Sequence, residues 1–164
     1  MTAPELDGRS LLAALVASEI DFIVIGGLAV GAHGFPRATK GIDIVPSPER
    51  ANLERLATLL DDLDYEILAL EEFGPDEVVR PDLDGLLGGG SWVLRTRFGR
   101  LGILQHVEPD LDHASLRADA IEDQVFGQTV RFCGYEHLIA MKEAAARDQD
   151  LVDLARLREL RGEG

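Results

Sequence analysis

Ile25-Gly-Gly-Leu-Ala-Val-Gly-Ala-His33-Gly-Phe-Pro-Arg37-Ala-Thr39-Lys40-Gly41-Ile42-Asp43-Ile44-Val45 is the stretch on which the fold and the chemistry of this chain turn. A short apolar strand from Asp21 to Ile25 ends at the pair Gly26-Gly27. A short helix is expected over 28 to 33, stopped by Gly34 and Pro36. Ile42 to Val45 reads as the next strand. Alternate strand residues point to one face, so Gly41 and Asp43 aim the same way. An Asp at 41 would complete a two-carboxylate metal clamp, and Gly41 cannot supply it.

Outward from this stretch the chain alternates helices and strands. Leu11, Leu12, Leu15 and Val16 recur at helical spacing and predict an amphipathic helix over about 8 to 19. Pro46 and Pro48 close the second strand, with Ser47 as the expected N-cap and Pro48 at the first helical position. Leu53, Leu56, Leu59, Leu60 and Leu63 mark the helix that follows, and Tyr65 to Leu70 reads as a strand. Asp82 to Gly90, rich in Asp and Gly, reads as a mobile loop between Val78-Val79 and the next strand. Trp92 to Arg97 and Leu101 to Gln105, joined by Phe98-Gly99-Arg100, predict a hairpin, and Val125 to Phe132 a second, tight one. Two helices are expected to finish the chain, Tyr135 to about Arg147 and about Gln149 to Leu160. Helices over a small mixed sheet give an α+β or α/β-like domain. At 164 residues a single domain over 1–164 is expected, with a core over about 8–132 and a C-terminal helical pair over about 134–161.

Composition narrows the function. Hydrophobic residues make up 46% and charged residues 28%, the balance of a globular protein rather than a disordered one. No run approaches the roughly 18 apolar residues of a membrane helix. Glu5, Asp7, Arg9 and Glu19 interrupt any signal-peptide core, which points to the cytoplasm. Cys133 is alone, so neither a disulfide framework nor a cysteine zinc cluster is expected, and it reads as a small apolar filler in a late strand. The formal charge of -14 argues against a broad nucleic-acid-binding surface, so any polyanion must meet a local patch. Two of the 16 basic side chains are lysines, Lys40 and Lys142, and each falls inside a motif that carries the chemistry.

Gly26-Gly27, His33-Gly34, Arg37-Ala38-Thr39-Lys40-x-Ile42-Asp43-Ile44 and a later Lys142-x4-Arg147-x2-Asp150-x2-Asp153 run together resemble the DNA polymerase β-like nucleotidyltransferase superfamily. More narrowly they resemble the AbiEii-like, MenT-like nucleotidyltransferase toxins of bacterial toxin-antitoxin systems. The resemblance spans about residues 22 to 153. It implies transfer of a nucleoside monophosphate from an NTP to an RNA acceptor, the 3′ end of tRNA, which blocks translation. Two Mg²⁺ are implied, held by an Asp-x-Asp pair and a third carboxylate on a downstream strand. It further implies Gly26, Gly27, Arg37, Lys40, Lys142, Arg147 and Asp150 at the nucleotide, with Lys142 on the triphosphate. A cognate antitoxin is the implied partner, in some members a kinase-like protein that phosphorylates a Ser or Thr at the active site, here Thr39.

Two positions depart from that pattern. Gly41 stands where the first Asp belongs, and Gly102 where the third carboxylate aligns, leaving Asp43 as the sole ligand. Glycine is a poor strand residue, so its presence in two active-site strands favours loss of a former Asp over structural need. The chain then reads either as an inactivated version of a toxic enzyme or as an inactive relative that keeps a nucleotide or an antitoxin. In a third register Glu108 or Asp110 would bind the metal. Transfer to protein or to a small molecule is the other enzymatic alternative. His33 reads as structural, and His106, His113 and His137 lack metal spacing. Arg37 is placed to contact phosphate bidentately, and Arg95, Arg97 and Arg100 cluster on the first hairpin, where they could guide an RNA backbone. Asp153 is expected to brace the last helix.

Overall fold

The computed structural model describes residues 5–71 and 79–162. In chain order the elements are α1 (Gly8–Ala17), β1 (Phe22–Ile25), α2 (Gly27–Ala32), β2 (Gly41–Pro46), α3 (Arg50–Asp62), β3 (Glu66–Glu71) and α4 (Leu83–Leu87). They continue with β4 (Ser91–Thr96), β5 (Gly99–Ile103), α5 (His113–Ala118), β6 (Ile121–Val125), β7 (Gln128–Phe132), α6 (Tyr135–Ala145) and α7 (Asp148–Leu160). The strands form one mixed sheet in the order β3-β4-β5-β2-β1-β7-β6. β2 runs antiparallel to β1 and parallel to β5, while β7 pairs parallel with β1. The mixed sheet flanked by helices is the fold class expected from the sequence.

Binary patterning explains the layers. Leu11, Leu12 and Leu15 of α1 and Leu53, Leu56 and Leu60 of α3 recur at helical spacing and are essentially inaccessible. They join Ile42, Ile44, Leu101 and Ile103, the alternate residues of β2 and β5, in one core. Burying each such side chain contributes about 1.5–3 kcal/mol. That packing sets the register of both strands, and the residues between them, Gly41, Asp43, Arg100 and Gly102, fall on the opposite face.

Several boundaries differ from the sequence expectation. Glu49, not Ser47, occupies the N-cap of α3, and the Ser47 hydroxyl accepts a long bond of 3.4 Å from the Glu49 N–H. Two prolines in three residues hold the chain extended past Ser47 before it can turn. Asp82–Gly90 is not wholly loop: α4 forms because the Asp82 carboxylate caps it, accepting from the Gly85 N–H at 2.9 Å. Val78, in the segment that precedes the expected loop, lies outside the described residues. The first hairpin turns at Arg97-Phe98, so Gly99 and Arg100 belong to β5. The second extends back to Ile121 and turns at Phe126-Gly127, both at positive φ (51° and 81°), as a two-residue loop requires.

Candidate functional site

β2 and β5 place Asp43 directly opposite Gly102, and Gly41 directly opposite Arg100. β1 brings Ile25 against the other side of Asp43, and Gly26 follows at φ 73°, a conformation that favours glycine. The Asp43 carboxylate lies between these glycines. A Cβ on Gly26 would meet Asp43 Oδ2 at 2.6 Å, and a Cβ on Gly102 would occupy the position of Asp43 Oδ1. Small residues on both flanks are therefore what allow the acid its present conformation.

The opposite wall is built by the last two helices. α6 ends at Ala145, Ala146 turns the chain at φ 48°, and α7 begins at Asp148. This tight reversal brings Asp150 and Asp153 back over Lys142. The Lys142 Nζ lies 3.0 Å from Asp150 Oδ1 and 3.0 Å from Asp153 Oδ2, with all three side chains buried. Arg147 donates its backbone N–H and its Nε to Asp150 Oδ2, at 3.0 and 2.8 Å. Arg37, from the connection between α2 and β2, closes a fork on Asp153 with two bonds of 2.8 Å, and Gln149 adds a third donor at 2.9 Å. Asp153 thus ties three elements together, more than the brace of one helix expected from the sequence. The Arg37 fork that the sequence offers to phosphate is held by Asp153.

Between these walls lies a cleft of about 220 Å³ lined by Gly26, Asp43, Lys142, Arg147 and Asp150 with the apolar Leu138 and Met141. Burial raises the pKa of Asp43, opposed by the charges of Lys142, Arg147 and Arg100. Burial also pushes Asp150 and Asp153 up, but hydrogen bonds outweigh it and hold both below the ordinary carboxylate value. Arg147 and Lys142 supply those bonds to Asp150, and Arg37, Lys142 and Gln149 those to Asp153. Lys142, held between these two aspartates, faces the strand that carries Asp43.

The structure brings Gly26, Gly41, Asp43, Gly102, Lys142, Arg147 and Asp150 to one place. It does not bring Lys40 there: Lys40 is exposed and lines a neighbouring groove with Arg37, Thr39 and Phe126. Thr39 donates its hydroxyl to the Gly41 carbonyl at 2.9 Å and packs over Gly27. His33 bonds the Cys133 carbonyl at 2.8 Å and stands edge-on to Tyr135, a structural role. Cys133 is buried, and burial pushes its thiol up to about 12. Asp110 is held by His106 at 2.9 Å. In the sequence Arg100 stands out only as one cation of a hairpin cluster; its place beside Gly41 depends on a parallel pairing that no local pattern encodes.

The donor set does not fit two divalent metals. Two such ions about 3.5–4 Å apart need carboxylates on both strands, and β5 offers Gly102. Among the described residues no group of three His, Cys, Asp or Glu could hold a metal. No helix among them is long and apolar enough to cross a membrane.

Three solved structures share this architecture. The chain aligns over 96% of its length, and 99% of the other's, with the lincosamide antibiotic adenylyltransferase LnuA in its lincomycin-bound form (TM-score 0.63, 12% identity). Over 92% of its length, and 87% of the other's, it aligns with ANT(2")-Ia in complex with adenylyl-2"-tobramycin (TM-score 0.59, 15% identity). An antigenic nucleotidyltransferase-like protein from Paracoccidioides brasiliensis aligns over 93% of this chain and 73% of its own (TM-score 0.53, 18% identity). No protein-family model and no curated protein sequence matches. At these identities the likeness establishes the fold, which is that of the nucleotidyltransferases.

Proposed function

We propose that this chain is a nucleoside-triphosphate-binding domain of nucleotidyltransferase type in which Gly41 and Gly102 impair group transfer. The observation that carries the reading is the pairing of Asp43 with Gly102 opposite a buried Lys142 held by Asp150 and Asp153. In the parent reaction an acceptor hydroxyl attacks the α-phosphorus, its proton is lost and pyrophosphate departs. Here Lys142 and Arg147 would hold the phosphates, the Gly26-Gly27 turn would admit them close to the backbone, and Asp43 is the one carboxylate left beside the reacting atoms. The motif resemblance supports a toxin of a cytoplasmic toxin-antitoxin pair, with the tRNA 3′ end as acceptor and Thr39 as the residue a kinase-like antitoxin would modify. Glycines at both ligand positions also support, as the alternative, a nucleotide- or antitoxin-binding role without turnover.

A second reading is transfer to a small molecule, favoured by the likeness to the lincomycin-bound and adenylyl-2"-tobramycin-bound structures. One experiment separates these. The chain, its Gly102→Asp variant and the Gly41→Asp/Gly102→Asp double variant are incubated with each labelled NTP and MgCl₂, with total RNA, total protein, lincomycin or tobramycin as acceptor. The expected result is label in RNA, with the unsubstituted chain slower than the better variant by about 10²-fold or more. Equal rates in all three proteins would overturn the impairment, and label confined to an antibiotic would establish the second reading.

A further inference from the structure

The open face of the sheet beside Asp43 carries a row of charges that a two-metal site would not need. β3, β4, β5 and β2 set Glu66, Arg95, Arg100 and Gly41 side by side. Arg95 and Arg100 are directly opposed, and like charges so placed repel. Glu66 answers Arg95 at 3.0 Å. Among the described residues the Arg100 side chain makes no hydrogen bond or ion pair, and it is exposed.

Its stem also fills the space of the missing ligand. A Cβ on Gly41 would lie 2.9 and 3.0 Å from Arg100 Cβ and Cγ, and 2.7 Å from the Arg100 carbonyl oxygen. A carboxylate at 41 and this arginine compete for one volume. The local charge follows: Arg37, Arg95, Arg100, Lys142 and Arg147 stand against Asp43, Glu66, Asp150 and Asp153, a surplus of positive charge within a chain of net -14. Carboxylates at 41 and 102 would reverse that sign and call for divalent cations. Without them the balance stays positive, and a guanidinium meets phosphate oxygens with two parallel donors.

We infer that this site binds the polyphosphate of a nucleoside triphosphate without a divalent cation, the Arg100 guanidinium, with Lys142 and Arg147 behind it, taking the place of metal ions. The inference rests on the nucleotide reading above and is distinguishable from it. Binding of each of the four ribonucleoside triphosphates is measured by calorimetry on the full chain in excess EDTA and in excess MgCl₂. At least one NTP is expected to bind, with dissociation constants in the two buffers that agree within about threefold. Arg100→Gln, on an exposed side chain that leaves the fold intact, is expected to weaken binding in EDTA by about tenfold or more, as loss of a charge-assisted bond does. Arg100→Lys is expected to recover part of that loss, and Gly102→Asp to make binding depend on MgCl₂. Binding that EDTA abolishes and MgCl₂ restores overturns the inference and leaves the nucleotide reading standing. Binding in EDTA that Arg100→Gln does not change also overturns it. No binding in either buffer overturns both.

Discussion

Gly41 and Gly102 are alike in sequence and unlike in surroundings. A side chain at 102 meets the Asp43 carboxylate, the far end of a flexible group that can rotate away. One at 41 meets the carbonyl oxygen of Arg100 at 2.7 Å, backbone fixed by the β2–β5 ladder. Gly41→Ala is therefore expected to destabilise the protein by about 1–3 kcal/mol, the usual cost of overpacking, and Gly102→Ala by clearly less. Urea unfolding followed by the single tryptophan, Trp92, buried at 1% exposure, measures both. Equal losses would remove the distinction. The sequence alone presents the pair as matched absences, because spacing shows that both face the site but not what each faces across the sheet. In this backbone Gly41 is held by sterics, so the argument for a lost acid is stronger at 102.

Among the elements, those with long periodic faces were legible and the short capped ones were not. α1, α3 and α7 follow from their leucine spacing, α6 from Leu138, Ile139 and Met141, and β1 and β2 from their apolar runs. α4 and α5 have six residues or fewer, and each starts from an aspartate that accepts a backbone N–H three residues on: Asp82 from Gly85, Asp112 from Ser115. That cap is a readable signal, outweighed around 82–90 by the glycines. β6 is apolar only at Ile121 and Val125 and exposed between, since as an edge strand it needs only the β7 backbone to pair. Equally hidden is the polar clamp on α3. Asn52, 1% exposed, accepts from the Asp21 N–H at 2.7 Å and donates to the carbonyls of Asp21 and Ser47 at 3.0 and 2.9 Å, fastening α3 to the start of β1 and the end of β2. Asn52→Ala strands those backbone groups and is expected to cost about 2–4 kcal/mol. A lower urea midpoint with an unchanged slope confirms it; a loss under about 0.5 kcal/mol, the range of ordinary surface substitutions, rejects it.

At the scale of the whole molecule, acids dominate, and the site contains acids of opposite habit. Asp43, raised by burial, binds its proton more tightly folded than unfolded. As pH falls through its folded value towards the ordinary value of about 3.9, the folded state takes up the proton first and gains stability. Relief of self-repulsion in a chain of -14 acts in the same direction. Asp150 and Asp153, held low by their cationic partners, do the reverse. Their contribution is complete above about pH 3.9, where the unfolded chain also ionises, and is lost as pH falls through their depressed folded values. Stability is thus expected to peak at mildly acidic pH, above about 4, and to decline on both sides. The urea midpoint of Trp92 emission, taken from pH 8 down to 3, traces the curve. Asp43→Asn should flatten the rise between neutral and mildly acidic pH and leave the acid-side fall in place, since Lys142 and its two aspartates are untouched. If Asp43→Asn left the rise unchanged, the repulsion of the chain as a whole would account for it, and burial of Asp43 between Gly26 and Gly102 would have no energetic consequence.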